Sequence, residues 1–101
     1  MNTIKFNNIT FPVESYNRNI YLSENEIHGD GNCTIIVNDM STLTALMDNT
    51  ITAIQIYHDN NLIYDVQNLD AYITNINEYL SDDRVIISLS LRFDNVEGNV
   101  V

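Results

Sequence analysis

The chain of 101 residues is long enough for one domain and too short for a second, and its 45% of hydrophobic residues can form a core. Four Lys and Arg against fourteen Asp and Glu give a net charge of -10, which disfavours direct binding to nucleic acid or to anionic lipid. A single cysteine excludes an internal disulfide and a multi-cysteine metal cage, and no signal-like or membrane-spanning apolar run is present, so we expect neither secretion nor membrane insertion.

The composition favours strands. Isoleucine and asparagine are abundant, whereas alanine, lysine and glutamine are scarce, which lowers helix propensity and supplies both strand formers and turn formers. We therefore predict a single β-rich domain over residues 1–101. Its expected architecture is an antiparallel sheet, sandwich-like or barrel-like, with one short helix.

The first predicted elements are strands. Residues 3–6 and 9–13 alternate apolar and polar side chains on either side of two asparagines, which predicts a hairpin or a bent strand. Pro12 has no backbone N–H group, so we expect it to confine the second piece to a sheet edge. Residues 16–22 form a further candidate strand. It is expected to place four side chains on one side: Tyr16, Arg18, Ile20 and Leu22.

A polar loop, a buried strand and a helix follow. The segment 23–32 (SENEIHGDGN) is rich in turn formers, and the apolar run 33–37 after it is typical of a buried strand. Ser41 is the predicted N-cap of a short helix over residues 41–48. The apolar residues at helical spacing in this segment are Leu43, Leu46 and Met47.

The later part of the chain contains a second hairpin and the clearest strand. Residues 51–58 and 62–66 are expected to pair around a slightly long turn at 59–61. In the segment 84–93, unbroken alternation predicts a strand with one core face and one face mostly in solvent. The apolar residues of its core face are Val85, Ile87, Leu89, Leu91 and Phe93.

The segment before that strand is ambiguous. Apolar residues in 69–80 recur at helical spacing, which would give an α+β fold with a second helix. The β-branched and asparagine-rich composition opposes a helix, and Ser81, Asp82 and Asp83 form a turn directly before the strand. We therefore favour a terminal β-hairpin and keep the second helix as the alternative.

Cys33 lies in a segment that looks like a catalytic motif. The letters DGNC within GDGNCTII, residues 29–36, resemble the nucleophile motif of the ovarian-tumour-type cysteine proteases. In that family a histidine lowers the pKa of the thiol, and backbone N–H groups at a helix start hold the oxyanion. The resemblance implies that Cys33 would be the nucleophile of a deubiquitinase-like site.

The surrounding residues favour a different interpretation. The residues after Cys33 are β-branched and should extend rather than start a helix, and acidic neighbours favour the protonated thiol. Of the two histidines, His28 is on the same predicted loop and His58 is at a predicted strand end. We interpret the segment as a turn before a strand, with Cys33 as a small buried residue. We predict that the chain is not an enzyme, and we assign no catalytic residue.

Two further groups of residues are candidate sites. Four oxygen-bearing side chains lie on the predicted loop, but the spaced acid pattern of a calcium loop is absent, so a solvated loop is the favoured interpretation. These residues are Glu24, Glu26, Asp30 and Asn32. Tyr57 and Tyr64 flank one predicted turn and either form an exposed patch or, as we favour, a cross-strand pair. We expect no metal, no cofactor and no small-molecule substrate.

From residue 39 onward, the order of a short helix, two strands and a terminal hairpin resembles small structural or accessory proteins of tailed bacteriophages and prophages. The resemblance implies a non-enzymatic component of a virion or tail, made in the bacterial cytoplasm. It would act by assembling with itself or with neighbouring virion proteins.

The expected contact surfaces of such a protein are open strand edges. We place them around Pro12 and after Phe93, where the tail VEGNVV (96–101) would extend a strand. The alternative function is a small acidic inhibitor that binds a host protein, as a DNA mimic does, and that function requires a contiguous negative patch.

Overall fold

The computed structural model describes residues 1–95, which form seven strands and one helix. The mainly β prediction with one short helix is confirmed. Because α1 has only eight residues, the helical content of the described range includes no segment able to cross a membrane. The elements are β1 (Asn2–Phe6), β2 (Ile9–Ser23), β3 (Glu26–Ile36), α1 (Met40–Met47), β4 (Ile54–His58), β5 (Asn61–Val66), β6 (Asp70–Ser81) and β7 (Arg84–Asn95).

The strands form one antiparallel sheet in the order β5-β4-β1-β2-β3-β7-β6. The long strand β2 changes partner along its length. Its pairing with β1 ends at Thr3↔Pro12, and its pairing with β3 begins at Val13↔Ile35, followed by a bulge before Ser15. The sheet therefore has a first half (β5, β4, β1 and the start of β2) and a second half (the rest of β2, β3, β7 and β6).

Both halves contribute to one hydrophobic core. Ile51 and Ala71 form an isolated bridge that links the segment before β4 to the start of β6, and α1 adds two buried leucines. The largest fully buried side chains are Phe6, Phe93, Ile4, Ile35, Leu43, Leu46, Ile51, Ile54, Ile87, Leu89, Leu91 and Val66. The interior is thus made mainly of branched and aromatic residues, as the composition predicts.

Tight turns with left-handed residues connect the hairpins. Glu24 and Asn25 both have positive φ values, of 54° and 64°, and so do Asp82 and Asp83, with 51° and 62°. Two successive positive φ values are characteristic of type I′ hairpin turns. The predicted turn at 81–83 and the predicted hairpins around it and around residues 59–61 are confirmed.

The predicted loop over 23–32 is wrong, because only Glu24 and Asn25 connect β2 to β3. The glycines that indicated a turn lie inside strand β3 and do not have positive φ. Gly31 is needed there for close packing, since a Cβ atom would lie 2.5 Å from the carbonyl oxygen of Asn17 and 3.1 Å from Cε2 of Phe93.

Two other local predictions are corrected. Pro12 lies in a strand with a neighbour on each side, and its missing N–H is tolerated because it sits where β2 changes partner. The predicted helix is present, but its N-cap is Asp39 rather than Ser41. The Asp39 carboxylate accepts hydrogen bonds from the backbone N and the Oγ of Ser41, at 3.0 and 2.7 Å.

The alternative of a second helix at 69–80 is wrong, and the favoured strand is confirmed as β6. A bulge between Ile73 and Asn75 inserts one extra residue into the strand. The core-facing positions on either side of it are Ala71 and Ile73, then Ile76. The extra residue turns a spacing of two into a spacing of three, which mimics helical periodicity.

Candidate functional site

Within residues 1–95, the end of the β2–β3 hairpin extends beyond the pairing of its neighbouring strands. The last pair that joins β3 to β7 is Gly29↔Phe93, and β1 pairs with β2 only as far as Pro12. Residues 20–28 therefore form a two-stranded projection, which we call the hairpin arm. Two-stranded β-ribbons gain little stability on their own, so this arm depends on what its faces contact.

The inner face of the hairpin arm is apolar and exposed. Alternation along β2 and β3 puts these side chains on the face that carries Tyr16 and Cys33 nearer the core. Leu22 pairs with Ile27, and their exposed fractions are 71% and 58%, while Ile20 is 48% exposed. We call Ile20, Leu22 and Ile27 the arm patch.

The outer face of the arm is aromatic and polar. The ring of Tyr21 stacks on His28 with centroids 5.7 Å apart, and Nε2 of His28 lies 3.8 Å from a carboxylate oxygen of Glu26. The two faces of one hairpin therefore differ in chemistry. Removing the apolar inner face from water would be favourable, so the inner face is the one suited to a contact with another molecule.

Arg18 occupies the same inner face, between the arm and the core. Its guanidinium carbon lies 5.7 Å from the centre of the Phe93 ring, in a cation–π arrangement. The residue opposite Arg18 on β3 is Gly31, which has no side chain to displace it. Nη1 of Arg18 is shielded from solvent and makes no hydrogen bond with any atom of residues 1–95. One donor of the guanidinium is thus left without an acceptor beside an aromatic ring.

A groove of about 430 Å³ runs beside Arg18, between β2 and the β4–β5 hairpin. Tyr16 and Tyr64 lie at its walls with their rings 5.4 Å apart, so the sheet curves until β5 approaches β2. We call this cavity the Arg18 groove. Its principal lining residues are Tyr16, Arg18, Ile20, Ile56, Ile63 and Tyr64.

A second depression, of about 690 Å³, lies on the outer face near the end of β7. Its arginine already has partners. Nε of Arg92 is 2.9 Å from a carboxylate oxygen of Asp94, and the guanidinium stacks on Tyr72 at 5.2 Å. Arg92 and Arg18 therefore differ in that only Arg18 combines burial with an unpartnered donor nitrogen.

The open edges lie partly where the sequence predicted them. The outer strands of the sheet are β5 and β6, and β2 from Val13 to Ser23 is unpaired on the side away from β3 within residues 1–95. Phe93 pairs with both Gly29 and Ala71, and after it the described part of β7 pairs with β6 alone, at Asp70↔Asn95, so within residues 1–95 the side towards β3 is open where an edge was predicted. The tail VEGNVV lies outside the described residues.

Cys33 lies in the core of the second half. Its side chain is 0% exposed, and burial raises its pKa to about 12. The residues after it continue β3 as a strand, so no helix N-terminus faces the thiol. The segment is strand rather than the predicted turn, while the prediction of a small buried residue is confirmed. The structure gives Cys33 the environment of an unreactive core thiol.

The other residues of the proposed protease site are dispersed. His28 lies on the outer face of the arm, and His58 in the first half has Nδ1 2.7 Å from Oδ1 of Asn2. Asp30 is exposed in β3, at a position that alternates with the buried Gly31 and Cys33. The residues of the motif are therefore adjacent in the sequence, but the fold does not bring them and the histidines together as a catalytic site.

The residues considered for calcium are also separated by the strand geometry. Asp30 and Asn32 are exposed positions of β3, Glu24 is in the turn, and Glu26 is near His28. Across residues 1–95, no group of three or more His, Cys, Asp or Glu side chains is arranged to hold a metal ion.

The predicted pairing of Tyr57 with Tyr64 is wrong. Tyr64 pairs with Ile56, because a bulge shifts the register between Ile56 and Tyr57, and Tyr64 contacts Tyr16 instead. Tyr57 donates a hydrogen bond to Oε1 of Gln55 at 3.4 Å. Tyr16 and Tyr64 are 48 positions apart in the sequence, so no local pattern indicates their contact.

Comparison with known proteins adds no family to this description. No protein-family model matches the chain, and the search of curated proteins gave no match. The candidate site is therefore defined by its geometry, namely the arm patch, the open edge of β2 and the Arg18 groove. Alternation in 16–22 correctly predicted that Arg18 shares a face with Ile20 and Leu22. That β4 and β5 line the groove follows only from the order of the strands in the sheet, which the local pattern does not give.

Proposed function

We propose that the chain is a non-enzymatic structural protein that assembles with copies of itself through the hairpin arm. The phage- or prophage-like order of elements supports a virion- or tail-associated setting for this assembly. The observation that carries the proposal is the exposure of Leu22 and Ile27 as a pair on the core-facing side of the sheet. Large apolar side chains grouped on one exposed face are characteristic of contact surfaces.

The energetics favour covering this face. Burying a leucine or isoleucine side chain contributes about 1.5–3 kcal/mol, so the arm patch can supply a substantial part of an association energy. The second copy would also pack against a two-stranded ribbon, which gains little stability on its own. Closed assemblies of identical chains are the commonest outcome of such self-complementary surfaces.

The charge of the protein opposes the same association. A net charge of -10 on each copy produces a repulsion that salt screens, since the screening length falls as ionic strength rises. Self-assembly through an apolar patch should therefore strengthen with added salt. An assembly held by ion pairs would weaken under the same conditions.

The acidic-inhibitor alternative lacks a comparable observation. The acidic side chains are distributed among the turns and several strands: Glu24, Asp59, Asp82 and Asp83 lie in turns, and Asp30 and Glu78 lie in different strands. The arm patch, in contrast, groups three exposed apolar side chains on one face.

The test is the absolute mass in solution, measured by light scattering over a concentration series at low and high salt. We expect a defined oligomer that is strengthened by salt. The double variant Leu22→Ser/Ile27→Ser should be monomeric under the same conditions. The control double variant Met47→Ser/Leu62→Ser changes two apolar side chains that are exposed elsewhere, so it should assemble as the wild type does. A monomeric wild-type protein at every concentration and salt would overturn the proposal.

A further inference from the structure

The open edge of β2 offers backbone hydrogen bonds next to the Arg18 groove. In the described part of the chain, residues 17–23 pair with β3 on one side only, so alternate residues direct their N–H and C=O groups away from the sheet. Such an edge can accept an added strand, in which main-chain hydrogen bonds provide affinity and side-chain pockets provide selectivity. The groove supplies a pocket on the inner side of this edge.

Arg18 specifies the chemistry of that pocket. Arg18 lines the groove, its guanidinium lies against Phe93, and its Nη1 has no hydrogen-bond partner among residues 1–95. A buried donor that carries charge is costly to leave unpaired, and a carboxylate is the acceptor that matches guanidinium best. The remaining groove walls include Ile20, Ile56 and Ile63, which suit apolar side chains.

We propose that the edge of β2 from Asn17 to Ser23 binds an extended segment of another protein. The segment adds to the sheet as a strand, places one carboxylate against Arg18 and fits apolar side chains into the Arg18 groove. Alternation in an extended peptide puts every second side chain on one face, so the carboxylate and its apolar neighbours are spaced by two residues.

Two features favour this occupant over others. A second copy of the chain, paired edge to edge around residue 18, would set two arginines near each other, which is unfavourable. A highly acidic segment would be repelled by the net charge of -10. A mainly apolar strand with a single carboxylate satisfies Arg18 without strong long-range repulsion.

This inference goes beyond the proposed self-assembly, because it assigns a different partner to a neighbouring surface. The test therefore uses the Leu22→Ser/Ile27→Ser variant, in which the proposed oligomer contact is removed. Failure of peptide binding would leave the light-scattering result unaffected. Likewise, a monomeric wild type would leave the peptide result unaffected.

The probes are two pools of short synthetic peptides with Thr alternating with Val, Ile or Leu. One pool has a central Glu on the apolar face, and the other is identical except for Gln at that position. Amide NMR spectra of isotope-labelled protein should change at residues 17–23 and at their partners on β3. We expect the Glu pool to bind roughly tenfold more tightly than the Gln pool.

The variant Arg18→Met keeps an unbranched apolar stem over Phe93 and should abolish the difference between the pools. Arg92→Met is the matched control, because that guanidinium lies on the outer face and already pairs with Asp94, so the difference should persist. Equal affinity of the two pools would overturn the proposal. So would spectral changes confined to β5 or β6, or no change at about 1 mM peptide.

Discussion

The hydroxyl oxygens of Tyr16 and Tyr64 lie 3.4 Å apart, although β2 and β5 are separated by two strands in the sheet. The contact joins the two halves of the sheet and sets one wall of the Arg18 groove. Burial, reinforced by the neighbouring Tyr64 hydroxyl, raises the pKa of Tyr16 far above its ordinary value. Tyr16 is therefore expected to stay uncharged, and its contact with Tyr64 to stabilise the curvature of the sheet.

Replacing Tyr64 should separate the two halves locally. Because Tyr64→Ala removes a half-buried ring and its aromatic contact, we expect it to lower the free energy of unfolding by about 2 kcal/mol. Chemical denaturation measures this change. Tyr57→Ala is the control, since Tyr57 lies in the same hairpin without contacting Tyr16, and it should cost clearly less. Equal losses would contradict a special role of the Tyr16–Tyr64 contact.

The thiol of Cys33 should be protected from reagents in the native protein. It is 0% exposed and its pKa is raised to about 12, so both access and thiolate formation are suppressed at neutral pH. We expect alkylation by iodoacetamide to be slow in buffer and rapid in denaturant, as followed by mass spectrometry. Rapid alkylation of the native protein would show that the thiol is accessible, and it would reopen the nucleophile hypothesis.

Cys33 should also contribute to the loss of stability at high pH. The folded protein holds this proton more tightly than the unfolded chain does, since the pKa rises from 9.0 to about 12. The contribution is fully present below pH 9.0 and is lost as the pH rises from 9.0 to about 12. Thermal denaturation over this range should show a smaller decline for Cys33→Ala than for the wild type. A parallel decline would mean that Tyr16 or another group dominates.

Gly31 should not tolerate even one methyl group. In Gly31→Ala the new Cβ would lie 2.5 Å from the Asn17 carbonyl oxygen and 3.1 Å from the Phe93 ring. We expect a loss of about 1–3 kcal/mol, because the backbone of β2 must shift. Chemical denaturation checks this value, with Asp30→Ala as the control at the adjacent exposed position. An unchanged stability of Gly31→Ala would mean that β2 accommodates the methyl group freely.

The turn between β6 and β7 can be improved. Asp83 has φ of 62° and follows another aspartate with φ of 51°, so the turn combines backbone strain with like charges. Asp83→Gly should raise the free energy of unfolding by about 1 kcal/mol, since glycine adopts this conformation without steric cost. Asp48→Gly is the matched control. Asp48 has φ of -82°, so glycine should lower stability there. Thermal denaturation that shows a loss for Asp83→Gly would contradict this account.

The sequence predicts strands best where alternation is uninterrupted. The strand that contains Val85, Leu89 and Phe93 has a clean period of two, and the structure places those side chains on one face of β7. Prediction failed where a single extra residue or a glycine changed the local signal. The bulge after Ile73 changed the spacing of the apolar residues to one that is typical of a helix. Gly31 indicated a turn, although it is needed for close packing inside a strand.

The candidate site was only partly predictable for a similar reason. The shared face of Arg18 and Leu22 follows from the period of β2 alone. The neighbour of Arg18 across the groove, Ile63, lies at a register shift in β5, and its approach depends on the curvature of the sheet. The exposure of the hairpin arm depends on where β1 and β7 stop pairing, which is a property of the tertiary fold.

The order of pairing has a consequence for synthesis of the protein on the ribosome. β1 pairs with β4, and β3 pairs with β7, so each half of the sheet joins an early strand to a late one. Until residues 54–58 emerge, only the meander of the first three strands can form, with its apolar face uncovered. Contacts between such distant segments also slow folding. The growing chain therefore passes through a stage in which its future core side chains are open to premature association.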